Sequence, residues 1–461
     1  ALLAGLGYAQ RGLGSPDEAN ALWLEALDLL EHEGDQTELT AGLCRALGRY
    51  LDAIGGLEDA IAVLERGLRA VGDTSPAERS RLQSALGYAR VLHGDLAAGA
   101  ASIDEAAAIA EELDDDRLRA DVLASYTSLE FATGRFRRCI RVADEAERTL
   151  TATGQVWDAV QAQVTTAWPR LWLGRVDDAA RLVRDVLPRA ERIGHLAAVF
   201  LARRSAALLD FLVGGDVERF DEQAAAGVTF CRENRLRWLP DAHVFAGLAK
   251  FWSGDWEAAG DHFRAATTSP APPVYAGRYS ATLLTFLAWT GDAEAFNRLE
   301  AELRSTFDRM GLQQTLGTMA VTLALAEGYA LLARRQAAAD LYPAVATTLE
   351  EGVVLRPPDL RVVHALAGLT AGLGGREEAG RHFEEARRTV RTLPHPRQAP
   401  DIDFFEGLAA TATGDGERAR TFLREAIAGY ERLGMTPQRV RAETALASLD
   451  HGDAPTTGRR R

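Results

Sequence analysis

Residues 247–266 read Gly-Leu-Ala-Lys-Phe-Trp-Ser-Gly-Asp-Trp-Glu-Ala-Ala-Gly-Asp-His-Phe-Arg-Ala-Ala, and their grammar decides the fold. An apolar-periodic stretch runs into Gly254, a short turn follows, and a second amphipathic stretch opens with acidic residues and alanine. The glycine ends the first helix, because a left-handed residue there satisfies the last free carbonyls. The acidic residues belong to the first turn of the next helix, where its dipole favours them. The same glycine returns at forty-residue steps as Gly94, Gly134, Gly174 and Gly214. Similar steps reach Gly14, Gly55, Gly291, Arg334, Gly374 and Gly414. A fixed period of this length marks a tandem array, one helical hairpin written about eleven times.

Small residues recur on one face of the second helix. Five after the turn stand Ala60, Ala179, Ala259 and Ala419, and seven further on Ala106, Ala146, Ala266 and Ala426. Between them lies a large apolar residue such as Trp23, Leu64, Ile103, Val183, Phe263, Phe383 or Leu423. Small side chains let two helices approach, and the large one fills the gap beside them. The first helix carries Leu6-Gly7, Leu47-Gly48 and Leu86-Gly87 seven residues before the turn, with Gly247 and Gly407 alone elsewhere.

This pattern resembles the tetratricopeptide repeat (TPR) over roughly residues 1–433. It departs from that family in its period, forty residues against a usual length of about thirty-four, and in lacking a regular proline. The resemblance implies an all-α fold: a right-handed superhelical α-solenoid of about eleven TPR-like hairpins. Thr436-Pro437 then starts a capping helix, expected over 434–449, with 450–461 as a disordered tail. The opening Ala1-Leu-Leu-Ala-Gly-Leu-Gly begins inside a first helix with no polar cap, so an upstream segment is expected to cover it.

A length of 461 residues would suggest about three domains, but the repeat overrides that prior. The net charge of −14 argues against direct nucleic-acid contact, which needs clustered positive charge. Cys44, Cys139 and Cys231 are odd in number and lie within helical patterns, as buried thiols of a cytoplasmic protein would. No apolar run is long enough to span a membrane. Enzyme signatures are missing: no phosphate loop, no nucleophile elbow, and no two of the nine histidines within four residues of each other. The run Glu111-Glu112-Leu113-Asp114-Asp115-Asp116 lacks the glycine and ligand spacing of a calcium loop and reads as a solvated connection. No catalytic residue, metal site or cofactor is expected.

The TPR resemblance places certain first-helix positions on a concave face. Carried over repeat by repeat, they give Tyr88, Phe131, Trp168, Trp172, Phe211, Phe251, Trp252 and Trp289, with Arg204 and Arg278 among them and Asp121 and Asp241 as acidic counterparts. Aromatic faces and planar guanidinium donors suit a protein or peptide partner, or a small-molecule effector. The alternative, packing of these aromatics between hairpins, stands beside it. Asn20, Asn234 and Asn297 match no inner position, which disfavours a chaperone-tail clamp. The closing stretch 424–449 resembles the end of the TPR arm in bacterial ATPase-type transcriptional regulators and nucleotide-cyclase/ATPase fusions. That likeness implies a sensory arm whose effector biases an upstream switch; a stand-alone scaffold is the other reading.

Overall fold

The computed structural model describes residues 2–3, 5–7, 16–33, 36–53, 56–269, 272–312, 314–393 and 397–452. Helices pair in chain order, Thr37–Ala53 with Leu57–Val71, Pro76–His93 with Leu96–Glu112, and so on to Ala399–Ala412 with Gly416–Arg432. Each hairpin then packs on the next, and the chain is an all-α solenoid. Among the described residues, extended pairing is limited to one bridge between Leu355 and Val362.

The turn residues work as their chemistry requires. Gly94, Gly134, Gly174, Gly254, Gly291 and Gly414 all hold φ between 72° and 99°. Three registers differ by one from the sequence reading: the left-handed residues are Gly215, Ala333 and Gly375, in place of Gly214, Arg334 and Gly374. Gly14 and Gly55 lie outside the described residues. A second set of left-handed turns joins one hairpin to the next, at Gly154, Gly194, Gly311, Gly352 and Gly434. The underlying period is thus close to twenty residues, one helix and one turn. The aspartate after the glycine is the N-cap of the second helix, not part of its first turn. Asp95, Asp255, Asp292 and Asp415 each accept a hydrogen bond from the backbone N–H three residues on.

Within a hairpin, the glycine seven residues before the turn receives the large side chain of the partner helix. A Cβ at Gly247 would lie 2.5 Å from Phe263, and at Gly407 2.8 Å from Leu423. Proline breaks two helices, because it lacks an N–H for the preceding turn. Val156–Thr165 gives way to Ala167–Trp172 ahead of Pro169, and Arg335–Asp340 to Tyr342–Glu350 ahead of Pro343. The acidic run at 111–116 is a turn around left-handed Asp114, in which Asp115 caps the next helix and Arg119 pairs with Asp114 and Asp116. The three cysteines are buried and free.

The array coils until later hairpins touch those about five earlier. A Cβ at Gly94 would lie 2.9 Å from Met310, one at Gly134 2.9 Å from Met319, and one at Gly174 2.8 Å from Val354. Carbonyls at helix ends take donors from these distant segments. Trp172 O accepts from Val354 N at 2.8 Å, and Trp252 O accepts from Arg397 at 2.7 Å. The last helix, Thr436–Gly452, is longer than the expected 434–449, and residues 453–461 lie outside the described residues. It caps the final hairpin, and it also reaches back. Arg441 donates to Trp289 O and Leu331 O, and Gln438 to Phe251 O.

Candidate functional site

The first helices of successive hairpins turn one face inward, and in the earlier part of the array that face bounds a cavity of about 1010 Å³. The lining follows the helical repeat on each element: Arg45, Arg49 and Asp52; Arg81, Ser84 and Tyr88; Asp121, Ser125 and Ser128; Trp157, Gln161 and Thr165; Ala197, Leu201 and Arg204. Steps of three and four residues keep these side chains on one face. The segment Leu236–Arg237–Trp238 and the pair Tyr275 and Arg278 close the far side.

Arg237 crosses the cavity. It donates to Asp52 Oδ1 at 2.6 Å and to the Tyr88 hydroxyl at 2.7 Å, and its guanidinium lies 5.1 Å from the Trp238 ring. Burial opposes the charge on Arg237, but Asp52 and Tyr88 more than offset it and hold its pKa above the ordinary value. Deeper in the wall, Asp241 accepts from Arg204 at 2.9 Å and from Arg278 at 2.6 Å, and Tyr279 adds a third bond at 2.8 Å. Burial lowers Arg204 to about 10, against the pull of Asp241. At the other end Arg45 and Arg81 share Glu78, and Arg49 lies 3.7 Å from Asp158. Asp121 accepts from Gln155 at 2.9 Å, and burial raises its pKa. Trp157 stacks on His195 with ring centres 3.9 Å apart, and burial lowers that histidine to about 4.

The residues expected on a concave face divide into two groups. Tyr88, Phe131, Trp168, Arg204 and Arg278 line the cavity. Trp172, Phe211, Phe251, Trp252 and Trp289 do not; each is at most 3% exposed. Trp172 packs against Phe136 at 4.7 Å, Phe211 stacks on Trp252 at 4.8 Å, and Phe251 stacks on Trp256 at 5.2 Å. Phe211 and Trp252 pack with Phe220 between neighbouring hairpins, whereas Trp172, Phe251 and Trp289 meet a segment the repeat pattern does not contain. Residues 353–362 fill the inner space of the later hairpins and are themselves buried, Val354 partly so. There Glu327 receives Arg356, Arg361 and the Trp289 indole, and Arg361 lies over the Phe251 and Trp289 rings.

Sequence reasoning missed Arg45, Arg49, Asp52, Arg81, Trp157, His195 and Arg237 as wall residues. The first four recur at helical steps on first helices and were legible as a polar inward face. Arg237 was not: its partner Asp52 is 185 residues away.

Among the described residues no helix is long and apolar enough to cross a membrane, and no group of three or more His, Cys, Asp or Glu side chains could hold a metal ion. No protein-family model matches the chain, and no curated protein matches it. Solved structures do resemble it. A Rap protein complexed with competence and sporulation factor aligns with a TM-score of 0.55 at 11% identity, over 87% of this chain and 99% of that one. The Cut9–Hcn1 hetero-tetramer of the APC/C aligns at 0.46 with 12% identity, over 97% and 89% of the two chains. Yeast Tom70 aligns at 0.32 with 13% identity, over 98% and 97%. At such identities the first likeness shows the fold, and the other two add nothing to it. The class is that of TPR-like helical solenoids. Its interior is an open cavity along the earlier hairpins and is filled along the later ones.

Proposed function

We propose that this chain is a non-catalytic binding arm that holds a partner segment or effector in the cavity of its earlier hairpins. One observation carries the reading: the interior is plugged by residues 353–362 in the later hairpins, yet about 1010 Å³ is left unfilled in the earlier ones. A space at the upper end of the usual ligand range, roughly 300–1000 Å³, has room for a peptide segment or an effector. The likeness to a Rap protein solved with a bound factor supports the same use of the fold. Arg237 supplies a route from occupancy to the rest of the molecule, since it ties hairpins about five repeats apart. This suits the regulatory arm to which the closing stretch is similar, in which a bound effector would bias an attached output module.

The test is tryptophan fluorescence of the chain against peptide and metabolite libraries, with Trp157, Trp168 and Trp238 on the cavity wall as reporters. Ser128→Trp fills the cavity from the middle of its wall. A saturable response in the parent that disappears in this variant, with helicity and Tm retained, supports the reading. Binding that survives the filled cavity overturns it.

A further inference from the structure

Resting on that reading of the cavity, we propose that its ligand is an acidic peptide segment, and that Asp52 holds in the free chain the guanidinium that a ligand carboxylate takes. The molecule carries a net charge of −14, yet six arginines and three aspartates line this cavity. Glu78 and Asp241 stand just behind the wall, shared by Arg45 with Arg81 and by Arg204 with Arg278. Counting both, positive charge still exceeds negative by one inside an acidic molecule, so the lining favours an anionic occupant over a cationic one.

Hydrogen bonding points the same way. Five N–H donors of wall residues have no partner: Arg45 Nε, Trp168 Nε1, His195 Nε2, Arg204 Nε and Arg278 Nε. His195 counts as a donor because its Nδ1 accepts from Ala198 N. Of the acceptors on the wall and just behind it, Glu78 Oε2 alone is buried in that state among the described residues, so donors outnumber acceptors five to one. These nitrogens are shielded by their neighbours, so an occupant reaches them only as side chains shift. An acceptor-rich occupant relieves the imbalance, and a cationic one worsens it.

The wall's shape selects a chain over a compact anion. Five first helices contribute to it, and an extended segment can lie across them all. Trp157 and Leu196, 44% and 42% exposed, give apolar side chains a seat beside the charged ones. Asp52 then acts as a resident competitor. A ligand carboxylate that displaces it inherits both Arg237 and the proximity of the Tyr88 hydroxyl. The tie between Thr37–Ala53 and the segment before Leu239–Ser253 is released in the same step.

The experiment uses hexapeptide pools with Glu, Lys or Leu fixed at each position in turn, read by tryptophan fluorescence and thermal shift on the full chain. Glu-fixed pools should bind roughly tenfold more tightly than Lys-fixed ones, as charge-assisted contacts require. Asp52→Asn should tighten Glu-fixed pools further and leave Leu-fixed pools unchanged. Where the amide variant does not fold, Asp52→Ser carries the same expectation. Arg49→Gln, at a half-exposed site, should weaken Glu-fixed pools selectively. A preference for Lys-fixed pools, binding indifferent to the fixed residue, or removal of the Asp52 carboxylate without tighter acidic binding overturns the proposal and leaves the cavity a binding site. Failure of every pool, whatever its composition, overturns the proposal, and failure of the metabolite library beside it removes the binding-site reading as well.

Discussion

At Gly247 the missing side chain is what lets the two helices of a hairpin close, because the Phe263 ring occupies the place a Cβ would take. Gly247→Ala should therefore cost about 1–3 kcal/mol, the usual penalty for an extra methyl in a filled core. Gly380, in an equally regular helix, has open space around it, and Gly380→Ala should add up to about 1 kcal/mol through helix propensity. Urea denaturation of the two variants checks the contrast; equal stabilities would show that the hairpin contact is loose. Such pairs are legible in sequence where both partners keep a constant offset from the turn, as Gly247 and Phe263 do. Gly368 against Phe383 is the same contact, and it escaped notice because the turn beside it is displaced by one residue to Gly375.

Hairpins are also fastened by polar pairs that no linear motif reveals. His243 and His262 meet at 3.0 Å within one hairpin, and His364 and His382 at 3.1 Å within another. Burial lowers all four, His243 to about 4, with Lys250 and Arg381 among the charges that add to the effect. An unfolded histidine titrates near 6.5, so below that pH the unfolded chain binds protons that the folded one refuses. Stability is thus full above about pH 6.5 and is lost progressively as pH falls toward 4. Tm measured between pH 7 and 4.5 should decline less steeply in a His243→Phe/His262→Leu variant than in the parent; an unchanged decline would assign the loss to other groups. The segment 353–362 presents a different case. Glu327 binds Arg356, Arg361 and the Trp289 indole in a buried site, so Glu327→Ala should cost about 3–5 kcal/mol: it leaves Arg356 to Asp359 alone and Arg361 to longer pairs with Asp359 and Asp401. Thermal unfolding checks this, and near-parent stability would mean the segment packs without its charges. This segment covers three of the expected groove residues, Trp172, Phe251 and Trp289, while Phe211 and Trp252 are core through packing between hairpins. Helical spacing could put Phe251 and Trp289 on an inner face, but what fills the space in front of them arrives some seventy to a hundred residues later in the chain.

Across the whole molecule, the repeat and its hairpins were legible because each signal is local and recurs. The closure of the coil was not, because each contact that makes it joins residues that no pattern relates: Gly94 with Met310, Arg237 with Asp52, Arg441 with Trp289. An array whose units touch only their neighbours frays from its ends, unit by unit. Here the final helix supplies donors to Phe251, Trp289 and Leu331, which sit in three earlier hairpins. Cutting away residues 436–452 should then quicken amide hydrogen exchange around 251–253 and 289–291 as well as in the last hairpin; a change confined to 399–432 would refute such long-range coupling. Built this way, the molecule behaves less like a chain of beads than like a coiled spring whose loops have been soldered together. It should yield in one cooperative step, and a force on its last loop should be felt across the middle of the coil.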